Sequence, residues 1–460
     1  MQYIELKSKR VSVEKADVVV AGGGPGGIGA GVAAARNGAN TIVCEEYGFL
    51  GGMMTVGYVL LLPLWLLTPY GNENRSLVEG IAKDFVERLE KMGGTIDPNL
   101  VLKYYNQGTP IFPDTPPWTQ QDMEITKILS QRMILEANGQ LKLHNKVVDV
   151  IMEDNNVKGV VIGTKQGLKA ILANTIIDAT GDADIAAMVG APYDQHFGEG
   201  VLPMTLEFYT GGVNIEKFKE YLKKDPGLTN ALHKANLTFG DRLTLPQNPN
   251  ALSFCYVNLP EELKGKYNQV ERKGEVLVWG LHVHGKDVTN PTDLSYAEQW
   301  CRDNVDVLAN FLKEHIPGFE NSYISSSSPG MGTRESRRIT GHYRLSAEDI
   351  NEGKRFKDGI VRSLKGAFKL EDVKKQKSFD IPYRCLLPIG VEGIIVAGRA
   401  ISIDHASATF LSPRDIITCI GVGEAAGTAA AIASKENLPP SQIDVSQLRK
   451  QLQKQGANLG

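Results

Sequence analysis

The sequence is poor in the signals that mark several common protein classes. Its five cysteines are widely separated and form no C-x-x-C pair, which argues against a zinc knuckle or a local dithiol centre. The odd number of cysteines in a chain of 460 residues also argues against a disulfide framework. Lys and Arg (50) do not outnumber Asp and Glu (53), so electrostatic binding to nucleic acid or to an anionic membrane is not expected.

Signals for targeting and membrane insertion are also missing from the sequence. Residues 1–16 are polar and of mixed charge, without the apolar stretch of a signal peptide. The longest apolar run, residues 56–67, is interrupted by Pro63 and is shorter than the roughly 18 residues of a membrane span. We therefore predict a cytoplasmic protein without a membrane span, and its 42% hydrophobic and 22% charged residues are typical of globular chains.

Glycine is abundant, with 48 residues, and some of it forms a nucleotide-binding pattern near the N-terminus. A β-branched run at 18–21 predicts a buried strand. It leads into Gly22-x-Gly24-x-x-Gly27, with Pro25 and Gly26 inside the pattern. In such a pattern the first glycine permits a tight turn, the second lets a pyrophosphate approach the backbone, and the third lets helix and strand pack closely.

The segments that follow this turn complete a βαβ unit. Residues 28–37 are rich in alanine and precede Gly38, which predicts a helix that ends at a glycine. A second strand is predicted at 41–44 and is followed by Glu45 and Glu46, and Glu45 lies at the distance expected of a ribose-binding acid. The arrangement predicts a dinucleotide site with its phosphates at the helix N-terminus.

Three sequence blocks resemble one group of flavoproteins. The stretch 17–46, followed by Gly51-Gly52-Met53-Met54, is similar to the FAD-binding start of flavoproteins with two dinucleotide-binding domains. Residues 174–182, which end in Ala179-Thr180-Gly181-Asp182, resemble the strand that passes near the adenine side of FAD. Strands are predicted before it at 141–150, which includes Val148, and at 157–164.

The third block lies near the C-terminus. Residues 394–399, which end in Gly398-Arg399, resemble the last FAD contact of these flavoproteins. A helix rich in small residues is predicted at 416–431, and its N-terminus near Thr418 and Gly421 would face the flavin pyrimidine and stabilise negative charge there.

Together with segments 334–338 and 381–384, these blocks identify the chain as a member of the broad FAD-dependent oxidoreductase family, which has a glutathione-reductase-like FAD-binding fold and is akin to fumarate-reductase flavoproteins and thiazole-synthase-like proteins. The resemblance implies FAD as cofactor and an α/β fold with a Rossmann-like (βαβ) FAD-binding domain, discontinuous in sequence, and an inserted α+β substrate domain. It assigns 15–57, 120–200 and 380–460 to the FAD-binding domain, and 58–119 and 201–379 to the substrate or cap domain. The residues implied to bind FAD are Gly22, Gly24, Pro25, Gly26, Gly27, Glu45, Glu46, Gly51, Gly52, Met53, Met54, Val148, Ala179, Thr180, Gly181, Asp182, Gly398, Arg399, Thr418 and Gly421.

The sequence also lacks a second nucleotide pattern. Where pyridine-nucleotide disulfide reductases carry another G-x-G-x-x-G after the A-T-G strand, this chain has Gly181-Asp182-Ala183-Asp184. We therefore predict an enzyme that transfers a hydride between a small organic substrate and flavin N5, without a dedicated NAD(P)H domain. The W-x-W-x-I-P segment of flavin halogenases and the second aspartate-glycine motif of aromatic hydroxylases are not found either.

Three residues are the preferred catalytic candidates. His405 and Arg414 lie between the Gly398-Arg399 strand end and the predicted C-terminal helix, so they are placed over the flavin, His405 as proton acceptor or donor and Arg414 near the N1 anion of reduced flavin. Arg334 belongs to a compact group of arginines that would bind a substrate oxyanion or form interdomain ion pairs. His282 and His284 share a strand face and are interpreted as a polar surface rather than as metal ligands.

Two alternatives remain open from the sequence. One is an FAD-bound electron-transfer or scaffold subunit, and the other is a thiazole-synthase-like biosynthetic enzyme that uses Cys385 or Cys419. The partner expected in the main hypothesis is a small-molecule substrate. An apolar substrate is expected because the apolar run at 59–67 follows the second glycine pair. No nucleic acid partner is expected, and a homo-oligomer or an electron-transfer partner is compatible with the sequence.

Overall fold

The computed structural model describes residues 10–69, 76–112, 118–196, 201–225, 252–365, 372, 375–410 and 413–460. The strands are β1 (Ser12–Lys15), β2 (Val18–Ala21), β3 (Thr41–Cys44), β4 (Leu61–Pro63), β5 (Trp118–Gln120), β6 (Gln140–Lys142), β7 (Lys146–Glu153), β8 (Asn156–Thr164), β9 (Gly167–Leu172), β10 (Thr175–Asp178), β11 (Tyr193–Asp194), β12 (Met204–Gly211), β13 (Ser253–Cys255), β14 (Val276–Val283), β15 (Tyr323–Ser327), β16 (Arg338–Ile339), β17 (Gly359–Ser363), β18 (Phe379–Pro382) and β19 (Ile394–Val396). The helices are α1 (Pro25–Arg36), α2 (Leu64–Leu67), α3 (Ile81–Lys91), α4 (Pro98–Asn106), α5 (Met123–Glu136), α6 (Asp184–Met188), α7 (Ile215–Lys224), α8 (Asn268–Glu271), α9 (Pro291–His315), α10 (Ala347–Glu352), α11 (His405–Phe410), α12 (Ile416–Glu436) and α13 (Val445–Lys454).

A parallel sheet of five strands organises the nucleotide-binding end, as the sequence predicts. Its order is β19-β10-β2-β3-β6, so strands from both ends of the chain belong to one sheet, with β10 between them. Strand β2 is fully buried and consists of three valines and an alanine, the composition of a strand covered on both faces. The predicted strands at 18–21 and 41–44 are confirmed, and the fold is the Rossmann-like α/β fold expected from the sequence.

Helix α1 packs against α12 through small residues. A methyl group built on Gly423 would lie 2.0 Å from the carbonyl oxygen of Gly26, and one built on Gly427 would lie 2.2 Å from that of Ala30. On the other helix, a methyl group on Gly29 would lie 2.2 Å from the Ile420 carbonyl oxygen. The two backbones therefore touch, which only glycine allows at these positions.

A second, antiparallel sheet has the order β13-β14-β12-β15 and is covered on one face by the long helix α9. Phe208 of β12 and Val278 of β14 point into this helix-covered core together with Leu308 and Phe311 of α9. The opposite face of the sheet lines a large cavity. At one edge of this sheet, β15 pairs antiparallel with β12, and the register shifts between Tyr209 and Thr210.

The predicted division into two domains stays a prediction, and the hydrophobic packing follows a different pattern. The largest cluster joins α1 and α12 to Phe85 of α3 and to Leu364 and Phe379, which the sequence assigned to the cap or to its boundary. The second cluster is confined to residues between Met204 and Met331. Thus the sheet with α9 is one part of the predicted cap with a core of its own, and a smaller cluster between Leu64 and Val270 is another.

Helix α12 is long and apolar enough to cross a membrane by length and composition alone, although no membrane span is predicted from the sequence. The whole apolar window of this helix is buried inside the structure, against α1 and its neighbours, as in the core helix of a globular fold. The length and apolar composition of α12 are therefore explained by its packing within the protein.

A buried glutamate of α12 caps a distant helix. Glu424 Oε2 accepts the backbone N–H of Ile81, the first residue of α3, at 2.8 Å, and its side chain is 1% exposed. Burial raises the pKa of Glu424 to about 7. Gly80 precedes α3 and has no side chain to cap it, so Glu424 supplies the acceptor that an N-cap residue normally provides.

We expect Glu424→Ala to lower the free energy of unfolding by about 1–3 kcal/mol, because the N–H of Ile81 would lose its acceptor in a dry environment. Glu424→Gln is the matched control, because its side-chain oxygen can accept the same hydrogen bond. It should lose less than half as much free energy of unfolding as Glu424→Ala. Urea unfolding followed by far-UV circular dichroism measures both. Equal stability of the alanine variant and wild type would contradict the capping role.

Candidate functional site

The carboxyl ends of the parallel strands meet at one edge of the five-stranded sheet and open into a cavity of about 1510 Å³. Strand ends at such an edge are where α/β sheets bind nucleotides. The FAD-binding candidates that line the cavity are Gly22, Gly24, Pro25, Gly26, Glu45, Glu46, Gly52, Met53, Ala179, Thr180, Gly181, Asp182, Gly398 and Arg399. Three distant blocks of sequence thus converge on one space, as their resemblance to flavoproteins implies.

Each glycine of the first pattern has a geometric role. Gly22 has a φ of +99°, and a methyl group on it would lie 2.4 Å from the carbonyl oxygen of Ala179 on the neighbouring strand end. A methyl group on Gly27 would lie 1.9 Å from the carbonyl oxygen of Gly22, which is the close helix–strand contact expected of the third glycine. Gly24 faces the cavity, with Gly52 of the second glycine pair next to it.

Glu45 and Glu46 follow β3 and have different environments. Glu45 is 6% exposed, and its carboxylate accepts the N–H of Gly23 at 2.6 Å and the N–H of Tyr47 at 2.9 Å. Burial raises the pKa of this carboxyl, and the two backbone donors oppose that shift. Glu46 is more exposed and pairs with Lys146 Nζ at 2.9 Å. Glu45 therefore fixes the loop after β3 to the glycine turn while it lines the cavity.

The block around residues 178–182 is held by a buried carboxylate. Asp178 accepts the Thr180 hydroxyl at 2.7 Å and the N–H of Ala186 at 2.9 Å, and burial raises its pKa to about 6. Asp182 accepts hydrogen bonds from Arg399 and Ser336. Arg399 also donates to the carbonyl oxygen of Thr333 at 2.9 Å, so the second and third flavoprotein blocks are tied together directly.

The N-terminus of α12 faces the cavity, but not through the residues named from the sequence. Asp415, Ile416 and Cys419 line the cavity. Thr418 instead contacts the hydroxyl of Ser363 at 3.0 Å, and Gly421 faces Val78 and Val361. Thr418 and Gly421 are three residues apart and therefore share one side of the helix, the side that faces away from the cavity. The helix has this rotation because Gly423 and Gly427 pack against α1.

Four further FAD-binding candidates lie outside the cavity lining. Met54 and Gly27 are buried in the protein, and Gly51, with a φ of +119°, shapes the turn that presents Gly52. Val148 is 41% exposed, whereas its neighbour Val147 lines the cavity. The pairing of β7 with β8 shifts between Val147 and Asp149, so Val148 lies at a bulge where regular alternation does not place its side chain.

The far end of the cavity is the open face of the antiparallel sheet. Glu207 of β12 lies opposite Trp279 of β14, and the pairing shifts by one residue between Leu206 and Glu207, which leaves Gly280 as a bulge. The bulge turns His282 to the same face as Trp279, so both side chains line the cavity with Glu207. Burial raises the pKa of Glu207 to about 8, and burial together with Arg334 lowers the pKa of His282 to about 4.

The three catalytic candidates have different positions. Arg334 and Arg414 line the cavity, and Arg414 donates from Nε to the carbonyl oxygen of Ala408 at 2.7 Å. His405 is not part of the cavity lining, and its Nδ1 lies 3.1 Å from Glu335 Oε2 while its ring packs on that of His196 at a centroid distance of 4.6 Å. Sequence reasoning missed Glu207, although an acid within the otherwise apolar-rich stretch M-T-L-E-F-Y was a usable signal.

The cavity fits FAD by three observations. Pockets for one small ligand measure roughly 300–1,000 Å³, so 1510 Å³ leaves room for a dinucleotide and a second molecule. At Gly24 the backbone is exposed to the cavity, and a side chain there would occupy space that the cofactor needs. Asp415 Oδ2 is buried without a partner in the described residues, next to the cavity. In the same part of the chain, no group of three His, Cys, Asp or Glu residues is placed to hold a metal ion.

These features define a flavoprotein of the Rossmann-like α/β class with FAD as its cofactor. The family model described as "FAD dependent oxidoreductase" matches residues 17–452, nearly the whole chain. The protein therefore belongs to the FAD-dependent oxidoreductase family and is an enzyme of that class, as its sequence blocks indicate. The predicted cofactor and family are confirmed, whereas the cytoplasmic location stays a prediction.

Several solved structures are similar in fold at low sequence identity. A geranylgeranyl bacteriochlorophyll reductase-like protein from Thermoplasma acidophilum has a TM-score of 0.43 and 14% identity, over 96% of this chain and 83% of that chain. The p-nitrophenol 4-monooxygenase PnpA from Pseudomonas putida has a TM-score of 0.45 and 12% identity, over 96% and 84%. The myxobacterial chondrochloren halogenase CndH has a TM-score of 0.41 and 12% identity, over 96% and 79%.

Proposed function

We propose that this enzyme transfers a hydride between a small organic substrate and N5 of its FAD, without a dedicated NAD(P)H domain. The observation that supports this most is the single cavity that runs from the glycine turn at Gly22 to Glu207 and Trp279 on the antiparallel sheet. A cofactor held at the glycine end and a substrate held at the sheet end would share one continuous space. Within the described residues no second glycine pattern follows a parallel strand, in keeping with direct exchange.

The residues of the glycine end have distinct roles in holding the cofactor. We assign the diphosphate to the N-terminus of α1 and to the backbone around Gly24 and Gly52, since helix N-terminal amides favour anions. Glu45 is assigned to the adenosine ribose, because its carboxylate already lies at the cavity wall beside the turn. The N-terminus of α12, with Asp415, is assigned to the pyrimidine end of the flavin.

When bound, FAD supplies the hydride acceptor or donor, and the protein supplies binding, orientation and electrostatics. Tyr58, Val59 and Leu60, which follow the second glycine pair, line the cavity and offer an apolar wall to the substrate. Arg414 is assigned to the flavin side of the cavity, near the start of α12. His405 is assigned a positioning role through Glu335, because its ring is not part of the cavity lining.

The test of this function starts with the purified protein. We expect an absorbance band near about 450 nm and the release of FAD on denaturation, because the cofactor supplies the redox chemistry. Anaerobic mixing with alcohols, amines, carboxylic acids and enoates should then bleach that band with one substrate class, while NADH and NADPH should not bleach it. A colourless protein, or rapid bleaching by NAD(P)H alone, would contradict the proposal. Stoichiometric co-purification of a redox protein, with no bleaching by any small molecule, would favour an electron-transfer subunit.

A further inference from the structure

The arginines near the cavity differ in how they are paired. Arg337 Nη1 lies 2.8 Å from Asp184, and Arg338 Nη1 lies 3.2 Å from Glu335. Arg399 is paired with Asp182. Arg334, in contrast, makes no hydrogen bond or ion pair with any residue that the structure describes, and its guanidinium carbon lies 4.4 Å from the ring centroid of Trp279. The aromatic face holds the planar group in place and leaves its N–H donors open to the cavity.

Arg334 remains charged in this environment. Burial and the neighbouring Arg414 lower its pKa to about 10, which is still well above neutrality. A half-buried cation without a counter-ion is costly, and a planar guanidinium with free donors binds a carboxylate through two parallel hydrogen bonds. The site therefore favours an anion at the open edge of Arg334.

The nearest acid does not supply that anion. Glu207 is 6% exposed and forms no ion pair within 4 Å of Arg334 in the described residues, although the two side chains line the same end of the cavity. Burial raises the pKa of Glu207 to about 8, so its carboxyl group is uncharged at neutral pH. The sheet face thus presents one cation, one neutral acid and an indole ring to the substrate.

We propose that the substrate of this enzyme is a small organic carboxylate, and that Arg334, stacked on Trp279 and facing Glu207, binds the carboxylate group at the sheet end of the cavity. This inference rests on the proposed function and names its substrate class. The hydrocarbon part of the substrate would contact the apolar residues that share this space, Tyr58, Leu60, Phe254 and Leu277.

The proposal predicts a pH dependence through Glu207. The groups that face it are Arg334 on the 329–334 segment, Cys255 on β13 and His282 on β14. The pKa of the Cys255 thiol is raised to about 12 and that of His282 lowered to about 4, so both are neutral between pH 5 and 9. On α9, Glu298 lines the cavity and pairs with Arg302 at 2.6 Å.

Ionisation of Glu207 would therefore be the main change of charge beside Arg334 above neutrality. The ionised acid would repel a substrate carboxylate and compete for Arg334. Affinity for a carboxylate is expected to be constant from about pH 6 to 7.5 and to fall above about pH 8, by up to tenfold per pH unit.

The experiment titrates the FAD-loaded enzyme with benzoate and with its neutral analogue benzamide, and follows the perturbation of the flavin absorbance. Wild type should bind benzoate more tightly than benzamide. Arg334→Met should weaken benzoate binding roughly 10- to 100-fold and leave benzamide binding nearly unchanged, since a charge-assisted hydrogen bond is lost. Arg334→Lys should recover part of the affinity. Arg132→Met, at an exposed arginine of α5 that does not line the cavity, is the matched control.

The second variant tests the acid. Glu207→Gln should abolish the fall in benzoate affinity above about pH 8, because the amide does not ionise. Equal affinity of wild type and Arg334→Met for benzoate would overturn the proposal. So would an anaerobic screen in which alcohols or amines bleach the flavin and carboxylic acids do not.

These outcomes are separate from those of the proposed function. A yellow enzyme that is bleached by a neutral substrate keeps the proposed function and rejects the carboxylate. A protein without FAD rejects the function before any titration. If Arg334→Met shifts the flavin reduction potential but not benzoate binding, the arginine serves the reduced flavin instead, and the carboxylate proposal is overturned.

Discussion

Gly27→Ala is expected to give a protein that is nearly free of FAD and less stable by at least about 3 kcal/mol. The added methyl group would lie 1.9 Å from the carbonyl oxygen of Gly22, and both partners are backbone, so no side chain can move aside. Helix α1 would have to shift away from β2, and its N-terminal amides would leave the position where they bind a diphosphate. If the displaced amides also cost about 3 kcal/mol of binding free energy, the dissociation constant for FAD would be more than about 100-fold higher.

The cofactor content is measured after purification in excess FAD, as the ratio of the absorbance at about 450 nm to that at about 280 nm. A low ratio is expected if FAD binding needs the close helix–strand contact. Gly108→Ala is the control, because Gly108 follows α4 with a φ of +75° and no atom within 4 Å of the added methyl group. That variant pays only backbone strain of about 1–2 kcal/mol and should keep its FAD. Full cofactor content in Gly27→Ala would show that the close contact between α1 and β2 is not required.

Stability is expected to fall by several kcal/mol as the pH rises from 5 to 9. Burial raises the pKa of four carboxyl groups above their usual range, to about 6 for Asp178, 7 for Asp415, 7 for Glu424 and 8 for Glu207. A carboxyl whose pKa is higher in the folded than in the unfolded state contributes its stability below the unfolded value, near pH 4, and loses it as the pH rises through the folded value. Each pKa unit corresponds to about 1.4 kcal/mol.

Urea unfolding of the FAD-loaded enzyme at pH 5.5, 7 and 8.5 measures this slope. Glu207→Gln should flatten the upper part of the curve, between pH 7 and 8.5, because the amide does not ionise. Glu87→Gln, at an exposed position of α3, should leave the curve unchanged. A stability that rises steadily between pH 5.5 and 8.5 would contradict the burial of these acids in protonated form.

The nucleotide end could be predicted from sequence because its determinants are local. The strand at Val18–Ala21, the turn at Gly22 and the helix that follows occupy one continuous segment, and each residue type answers a local requirement of turn or packing. The same holds for the strand that leads to Ala179, where Asp178 and Thr180 bond to each other within a few residues.

The substrate end could not be predicted in the same way. Glu207 and Trp279 are 72 residues apart, and they meet only because β12 pairs with β14. His282 joins them through a bulge at Gly280, a shift of register that strand periodicity does not show. From the sequence, Thr418 and Gly421 are expected at the flavin, but in the structure they face away from the cavity. The sequence does not show this, because the contact of α12 with α1 sets the rotation of α12 about its axis, and that contact is tertiary.

The contact between α1 and α12 joins segments that are almost 400 residues apart in the chain, as Gly26 and Gly423 show. During synthesis, the first helix would emerge from the ribosome long before its partner, with the apolar faces of the β2–α1 unit still uncovered. FAD can be enclosed only after the late helix has been made, so cofactor capture would be a post-translational event that closes the fold. Such a non-local contact is also formed slowly, so the apolar surface of the β2–α1 unit would stay open to aggregation in the interval.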